Sequence, residues 1–308
     1  MENHYAVKLL SKPRRSLQDR KKVYAILFIL PAFLFIFSFM LYPIIYTLYM
    51  SFHEFNFVYD DSAAFIGLDN FVKAFSDTNF VVAMKNTFTY GIIYFVFIMI
   101  LSLSFALILF HTKRFSGLFK TVIFIPIVVP VSLSALVFMW ILQPNYGLLN
   151  HFLGDILGLT QLTYPWLNHG TTAMAAIIVV SLWATIGFET ILFLGGLQSI
   201  SSEVLEAAEM DGANGWKKIA FIILPNLRET YIITGIWAII HALKVFVEPM
   251  VMTNGGPGNS TLVMYQEIYY TAFVNFDMGY AAAMAYILGI FTLVLSITNF
   301  YINRTKDE

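Results

Sequence analysis

An all-α, polytopic membrane protein with six transmembrane helices is the fold class this sequence predicts, and three observations predict it. Of its 308 residues, 58% are hydrophobic and only 12% charged, where soluble domains carry roughly 25% charge. Six apolar runs are long enough to cross a bilayer, which takes roughly 20 helical residues. The basic residues crowd into alternate connecting segments.

The runs lie at about 23–50, 86–110, 121–142, 172–194, 229–249 and 279–301. The first is too long for the core of a signal peptide, and no small-residue cleavage site follows it. Pro31 and Pro43 interrupt the first run, Pro126 and Pro130 the third. Neighbouring helices re-satisfy the carbonyls that a proline frees in a membrane, so both helices are expected to be kinked.

Charge sets the orientation. Lys8, Lys12, Arg14, Arg15, Arg20, Lys21 and Lys22 precede the first run. Lys113, Arg114 and Lys120 join the second to the third, Lys217, Lys218 and Arg228 the fourth to the fifth, and Arg304 and Lys306 follow the sixth. The other connections hold only Lys73 and Lys85. Lys244 lies within a run. The 15 basic residues on one side against 2 on the other place both termini and the fourth-to-fifth connection in the cytoplasm. Net charge, −1, carries no such information.

The outer connections are short of folded domains. Phe71, Val72 and Phe75 suggest an interfacial helix near 68–76, and 148–157 suggests another along the surface. Thr253-Asn254-Gly255-Gly256-Pro257-Gly258 is a strong turn cluster. Trp140 and Trp166 suit the aromatic belt at a membrane interface.

One inner connection stands out: 206–225, EAAEMDGANGWKKIAFIILP, a polar island between apolar runs. Ser201 is placed to cap a helix, with Ile200 and Leu205 at the staple positions and Glu203 in the positively polarised first turn. Gly212 is placed to take the left-handed conformation that ends this helix, so that a second starts near Asn214. Leu224-Pro225 is expected to close the segment, since proline disfavours helical geometry in the residue before it. Such a helix–turn–helix has too little apolar surface to stand alone.

Chemistry is hard to place on this chain. The absence of cysteine excludes disulfides, thiolate metal sites and cysteine nucleophiles. No Gly-Lys-Ser/Thr phosphate loop and no paired histidines at metal-binding spacing occur.

The island carries a resemblance. Glu206-Ala207-Ala208, three residues, Gly212, nine residues, Ile222, one residue, Leu224-Pro225 fills every defining position of the EAA loop of ABC importer permeases. Leu30-Pro31 and Tyr42-Pro43 in the first run resemble carbohydrate-importer permeases. The 253–258 turn followed by Phe276-Asp277-Met278-Gly279-Tyr280-Ala281 is similar to the maltose-permease-F-like type, here in a short six-span form. The resemblance covers about 23–302. It implies a six-span permease domain at 23–302 with the coupling loop at 201–225, between a basic cytoplasmic segment, 1–22, and a cytoplasmic tail, 303–308.

The resemblance further implies a bacterial or archaeal cell-membrane protein working with a second permease, two cytoplasmic ATP-binding subunits and an extracytoplasmic solute-binding protein. Its substrate would be a sugar or oligosaccharide and its surroundings the lipid bilayer; nucleic acid is not among the partners. The chain would hold no cofactor, ATP and Mg being bound by the partner ATPase, and would not be an enzyme. In the family the loop docks in a cleft of the ATPase. Glu206 would then be the charged contact, Ala207 and Ala208 the shallow surface, Gly212 the turn, and Leu224-Pro225 the angle into span five. A permease for a non-sugar solute, or a scaffold or channel without ATP coupling, are the alternatives.

For the substrate path, ionisable residues inside spans are the guide, because each costs about 2.5–3.5 kcal/mol on insertion scales. Span five offers Trp237, His241, Lys244 and Glu248, which a continuous helix would put on one face. Span four offers Trp183 and, at helical spacing, Ser181, Thr185 and Glu189. Aromatic faces stack on sugars and polar groups bond their hydroxyls, so these eight are the expected lining. Competing readings are that Lys244 and Glu248 neutralise each other, that Glu248 sits at the outer interface, that His241 is a packing residue, and that Glu189 bonds a partner subunit.

Overall fold

The computed structural model describes residues 17–112 and 116–303. Lys8, Lys12, Arg14, Arg15, Lys113, Arg114, Arg304 and Lys306 lie outside the described residues. The chain divides into two units, 1–49 and 50–308.

The first unit is helical. Helix α1 (Leu17–Ile36) contains Pro31, a π-helical turn follows at Phe37–Leu41, and α2 (Tyr42–Ser51) continues into the second unit. The Tyr42 N–H bonds the Phe37 carbonyl, five residues back. That wider step falls just before Pro43, whose nitrogen has no proton to continue the ordinary ladder. The predicted interruption is therefore a π turn. Large apolar side chains from Tyr24 to Tyr49 are exposed around the helix, as suits a span whose solvent is lipid.

The second unit begins with a two-stranded hairpin, β1 (His53–Glu54) and β2 (Ala64–Phe65), antiparallel with His53 opposite Phe65. Helix α3 (Asp69–Ser76) follows, where an interfacial helix is predicted. Helix α4 (Thr78–His111) runs 34 residues and starts well before the expected 86. The reason is a cap: Asp77 Oδ1 accepts the Asn79 and Phe80 N–H groups.

The third span is broken, not merely kinked. Helix α5 (Ser116–Val128), which contains Pro126, and α6 (Val131–Ile141) meet at 99°. Pro130 supplies no N–H and keeps Val129 out of the helical region. A short α7 (Leu148–His151) and a π turn then lead to α8 (Gly170–Ser199). Trp166 is half-buried and donates to Asn150 Oδ1 at 2.8 Å. Trp140 is exposed.

The polar island forms α9 (Ser202–Met210), α10 (Trp216–Lys218), a π turn and α11 (Leu224–Asn226). The fifth span is α12 (Arg228–Leu243) and, after a three-residue break, α13 (Val247–Met252). Next come α14 (Met264–Phe273) and α15 (Met278–Asn303). Among the described residues, five helical stretches are long and apolar enough to span, six with the bent α5–α6 pair.

Helix α4 is the spine. Tyr90, Tyr94 and Ile98 pack against Ile177 and Val180 of α8 and Ala238 and Ala242 of α12. Phe80 and Ala83 pack against Met264 of α14 and Met284 of α15. Ala106 and Leu109 meet Phe193 and Leu197, with Ile223 and Leu227 from the island.

At the end of the bundle that holds β1, residues 53–57 clasp the start of α15. Phe55 O accepts the Met278 and Gly279 N–H groups, and Phe57 N–H bonds Phe276 O at 2.9 Å. Lys73 pairs with Asp277 at 3.2 Å and lies over the Tyr280 ring, whose hydroxyl bonds Asp77. A Cβ on Gly279 would clash with the His53 carbonyl oxygen. Gly279→Ala is therefore expected to destabilise the purified protein by about 2 kcal/mol, the order found for overpacking, read as a lower melting temperature.

Candidate functional site

Two places combine exposure with unusual chemistry: the island at one end and the spans around the α12–α13 break. In the island, Ser201 Oγ caps α9 by accepting the Val204 N–H, as predicted. Ile200 and Leu205 pack on the same core as Ile223 and Leu227. At its C-terminal end the Gly212 N–H bonds Glu209 O at 3.0 Å and the Ala213 N–H bonds Ala208 O at 2.9 Å. Gly212 has φ +80°. These two bonds form a Schellman motif, so the second alanine and the glycine are tied by one hydrogen-bonding device.

Three expectations about this segment change. Ala208 is buried against its own chain, so of the two alanines only Ala207 faces outward, beside exposed Glu206. The second helix starts at Trp216, behind a second glycine of positive φ, Gly215 at +54°. Leu224-Pro225 does not close the segment. The π turn Ile219–Ile223 absorbs the missing proline N–H, α11 runs on to Asn226, and the break falls at Leu227. Ile222 and Leu224 are half-buried and Pro225 exposed.

Sequence reading missed a brace. Lys218 Nζ lies 2.6 Å from Glu209 Oε1 across the turn. Nine residues apart, the two share no helical period, so only the turn geometry brings them together. Met210, Trp216 and Phe221 project from this braced hairpin, at 89%, 74% and 73% exposure. An exposed apolar cluster of this kind marks a contact surface.

In the spans, the eight expected lining residues separate. The break after Leu243 removes the single face proposed for Trp237, His241, Lys244 and Glu248. Pro249 explains it: its ring clashes with the carbonyl four residues back, at Val245. Glu248 is buried and accepts from Ser181 Oγ at 2.9 Å. Lys244 is exposed on another side and makes no ion pair with it among the described residues.

Ser181, Thr185 and Glu189 share one face of α8, as predicted, and that face is buried. Thr185 Oγ1 donates to the Ser181 carbonyl at 2.7 Å, which leaves the Tyr94 hydroxyl to donate to Thr185 Oγ1 at 2.9 Å. The buried Tyr90 hydroxyl lies beside this set. Tyr90 and Tyr94, one turn apart in span two, were legible as a polar pair but not singled out. Neither Glu189 oxygen has a partner among the described residues, and the residue is fully buried in its own chain.

The exposed rings lie elsewhere. Trp237 stacks on His241 with centroids 5.4 Å apart and packs on Phe188 at 4.5 Å; His241 also meets Tyr94 at 5.6 Å. Trp183 meets Phe138 edge-on and lines a wide apolar groove of about 1420 Å³ between α4, α5 and α8. Lys244 lines a separate groove of about 790 Å³ between α12, α14 and α15. No cluster of three or more metal-ligating side chains occurs among the described residues.

Known proteins are similar to this chain in sequence and in fold. Residues 80–307 match the family model described as the binding-protein-dependent transport system inner membrane component. The chain is 34% identical to a probable ABC transporter permease protein, YurN, of Bacillus subtilis, over 94% of this chain and 99% of that one. It is 33% identical to the trehalose/maltose transport system permease protein MalF of Thermococcus litoralis, over 93% and 95%. The fold matches a subunit of a bacterial ABC transporter involved in the import of the acidic polysaccharide alginate, with TM-score 0.80 and 23% identity over 94% and 98%. This chain is a multi-pass membrane protein that belongs to the family of binding-protein-dependent transport system inner membrane components, the permease subunits of ABC transporters.

Proposed function

We propose that this chain, with a second permease, forms the path of an ATP-driven importer for a sugar or oligosaccharide. A separate solute-binding protein delivers the substrate on the outer side, and two cytoplasmic ATPase subunits drive alternating access. Both termini and the α9–α10 hairpin lie in the cytoplasm on this reading, as the basic residues direct. The observation that carries it is the hairpin itself. Its outer surface presents Glu206, Ala207, Met210 and Trp216, while Leu205, Ile219 and Ile223 seat it on the ends of α4 and α8. ATPase closure then tilts the spans instead of bending the linker.

The carbohydrate assignment rests on relatives such as the trehalose/maltose permease and on the Phe188–Trp237–His241 stack, which offers half-exposed ring faces at the span break. Behind that wall Tyr94 meets His241 and bonds Thr185. Trp183, on the apolar groove, faces lipid or a neighbouring helix. Trp237→Ala is expected to raise the KM for sugar uptake by about tenfold, the loss of one stacked aromatic contact, with complex assembly unchanged.

The reading as a whole is tested by purifying the tagged chain with its neighbours, screening the binding protein against mono- and oligosaccharides by thermal shift, and measuring uptake of the best sugar. ATP-dependent uptake with a co-purifying ATPase supports it. A chain that purifies without ATPase and moves no sugar refutes it.

A further inference from the structure

Lys244 is a cation within a span that the coupling and path described above leave unused. It caps the C-terminal end of α12, about 24 Å of helix beyond Arg228 at 1.5 Å per residue, toward the far side of a roughly 30 Å hydrocarbon layer. Its side chain is exposed and makes no hydrogen bond or ion pair among the described residues. Glu248, the acid nearest in sequence, is buried and held by Ser181. An ammonium near the edge of the hydrocarbon reaches for water or an anion.

The groove it lines shows what kind of anion fits. One wall is aromatic: Phe246 lies 5.4 Å from Tyr265 and 5.3 Å from Tyr269, and Tyr269 lies 5.4 Å from Phe273. Tyr265 and Phe273 are exposed to it. The facing wall, on α15, mixes small and apolar side chains, Ala285, Leu288, Gly289, Thr292 and Leu293, with the Thr292 hydroxyl bonded to the Leu288 carbonyl. Gly289 leaves open space where a side chain would stand, whereas Ser296 Oγ is itself buried. A volume of about 790 Å³ accommodates two sugar rings. Aromatic faces suit the apolar faces of sugar rings, and the ammonium suits a carboxylate.

We propose that the Lys244 groove is a binding subsite for an acidic sugar, its carboxylate on Lys244 and its ring on the α14 aromatics. This rests on the reading of the chain as a sugar permease and narrows the substrate class. Neutral sugars would leave the ammonium uncompensated in a site without an acid of its own. An anionic lipid headgroup offers the same charge, and the test separates the two.

The complete importer, in nanodiscs of zwitterionic lipid, is titrated calorimetrically with digalacturonate and with the matched neutral disaccharide. The acidic probe is expected to bind about tenfold tighter, the worth of one charge-assisted hydrogen bond. Lys244→Gln removes that difference and leaves neutral binding within about twofold; Lys244→Arg keeps it. Adding anionic lipid leaves the acidic affinity unchanged. The proposal fails if wild type binds both probes equally or neither, or if the preference survives Lys244→Gln. It fails equally if anionic lipid competes the acidic probe away, or if Lys244→Gln releases the second permease, which would assign the cation to a subunit contact. ATP-dependent uptake of neutral sugars in the same preparation, despite such a failure, would leave the permease reading standing; no sugar uptake at all would remove both.

Discussion

The double substitution Glu206→Ala, Gly212→Pro is expected to lower ATP-driven uptake at least about a hundredfold and to release the ATPase subunit from the purified complex. Proline holds φ near about −65°, while residue 212 sits at +80°. The Schellman bonds to Glu209 and Ala208 carbonyls would be lost together, and with them the angle that lets Lys218 reach Glu209. A loss of about 3 kcal/mol in hairpin geometry corresponds to two decades in coupling. Glu206→Ala removes an exposed charge and leaves the fold intact, so on its own it separates contact from shape. Far less should follow Gly212→Ala, because alanine enters the left-handed region for about 1–2 kcal/mol. Should the double variant keep wild-type uptake and ATPase association, the hairpin is not the coupling element.

Local rules read well from this sequence, and the break points of spans did not. The Ser201 cap and the Gly212 turn depend on a few neighbouring residues, and both stand where the spacing put them. The six-span count follows from hydropathy alone. By contrast, placing Trp237, His241, Lys244 and Glu248 on one face assumed an unbroken helical period. Pro249 contradicted that assumption, since its ring excludes the ordinary ladder four residues earlier, and the three residues after Leu243 are non-helical. The same proline logic was applied to Pro130, yet a kink was expected where the chain turns by 99°. Ala208 shows a different limit. Its inward direction depends on the hairpin folding back over the ends of α4 and α8, which spacing alone does not reveal.

The buried set around Glu248 gives the second large effect, and its sign pattern is specific. Ser181→Ala is expected to destabilise the assembled permease by about 3 kcal/mol, more than Glu248→Gln, although serine is the smaller side chain. The reason is asymmetry in what each change leaves behind. Removing the Ser181 hydroxyl leaves a buried carboxyl oxygen without its partner, and an unsatisfied charged or strongly polar group costs more than the bond itself was worth. Glu248→Gln keeps an acceptor of the same shape for Ser181 Oγ and is expected to cost about 1 kcal/mol. The double variant Ser181→Ala, Glu248→Leu removes both partners, so it should be less damaging than Ser181→Ala alone, a non-additivity that a thermal-shift cycle on the complex resolves. The consequence for transport follows from position. The Glu248–Ser181 bond is the polar tie between α13 and α8 across the span break, so loosening it frees the α12–α13 break from the spine while the hairpin still docks. ATP hydrolysis should then persist while sugar uptake falls, an uncoupled phenotype distinct from the loss of ATPase association expected at Gly212. Equal melting temperatures for Ser181→Ala and wild type would show that the tie carries no stability and that the break is held by packing alone.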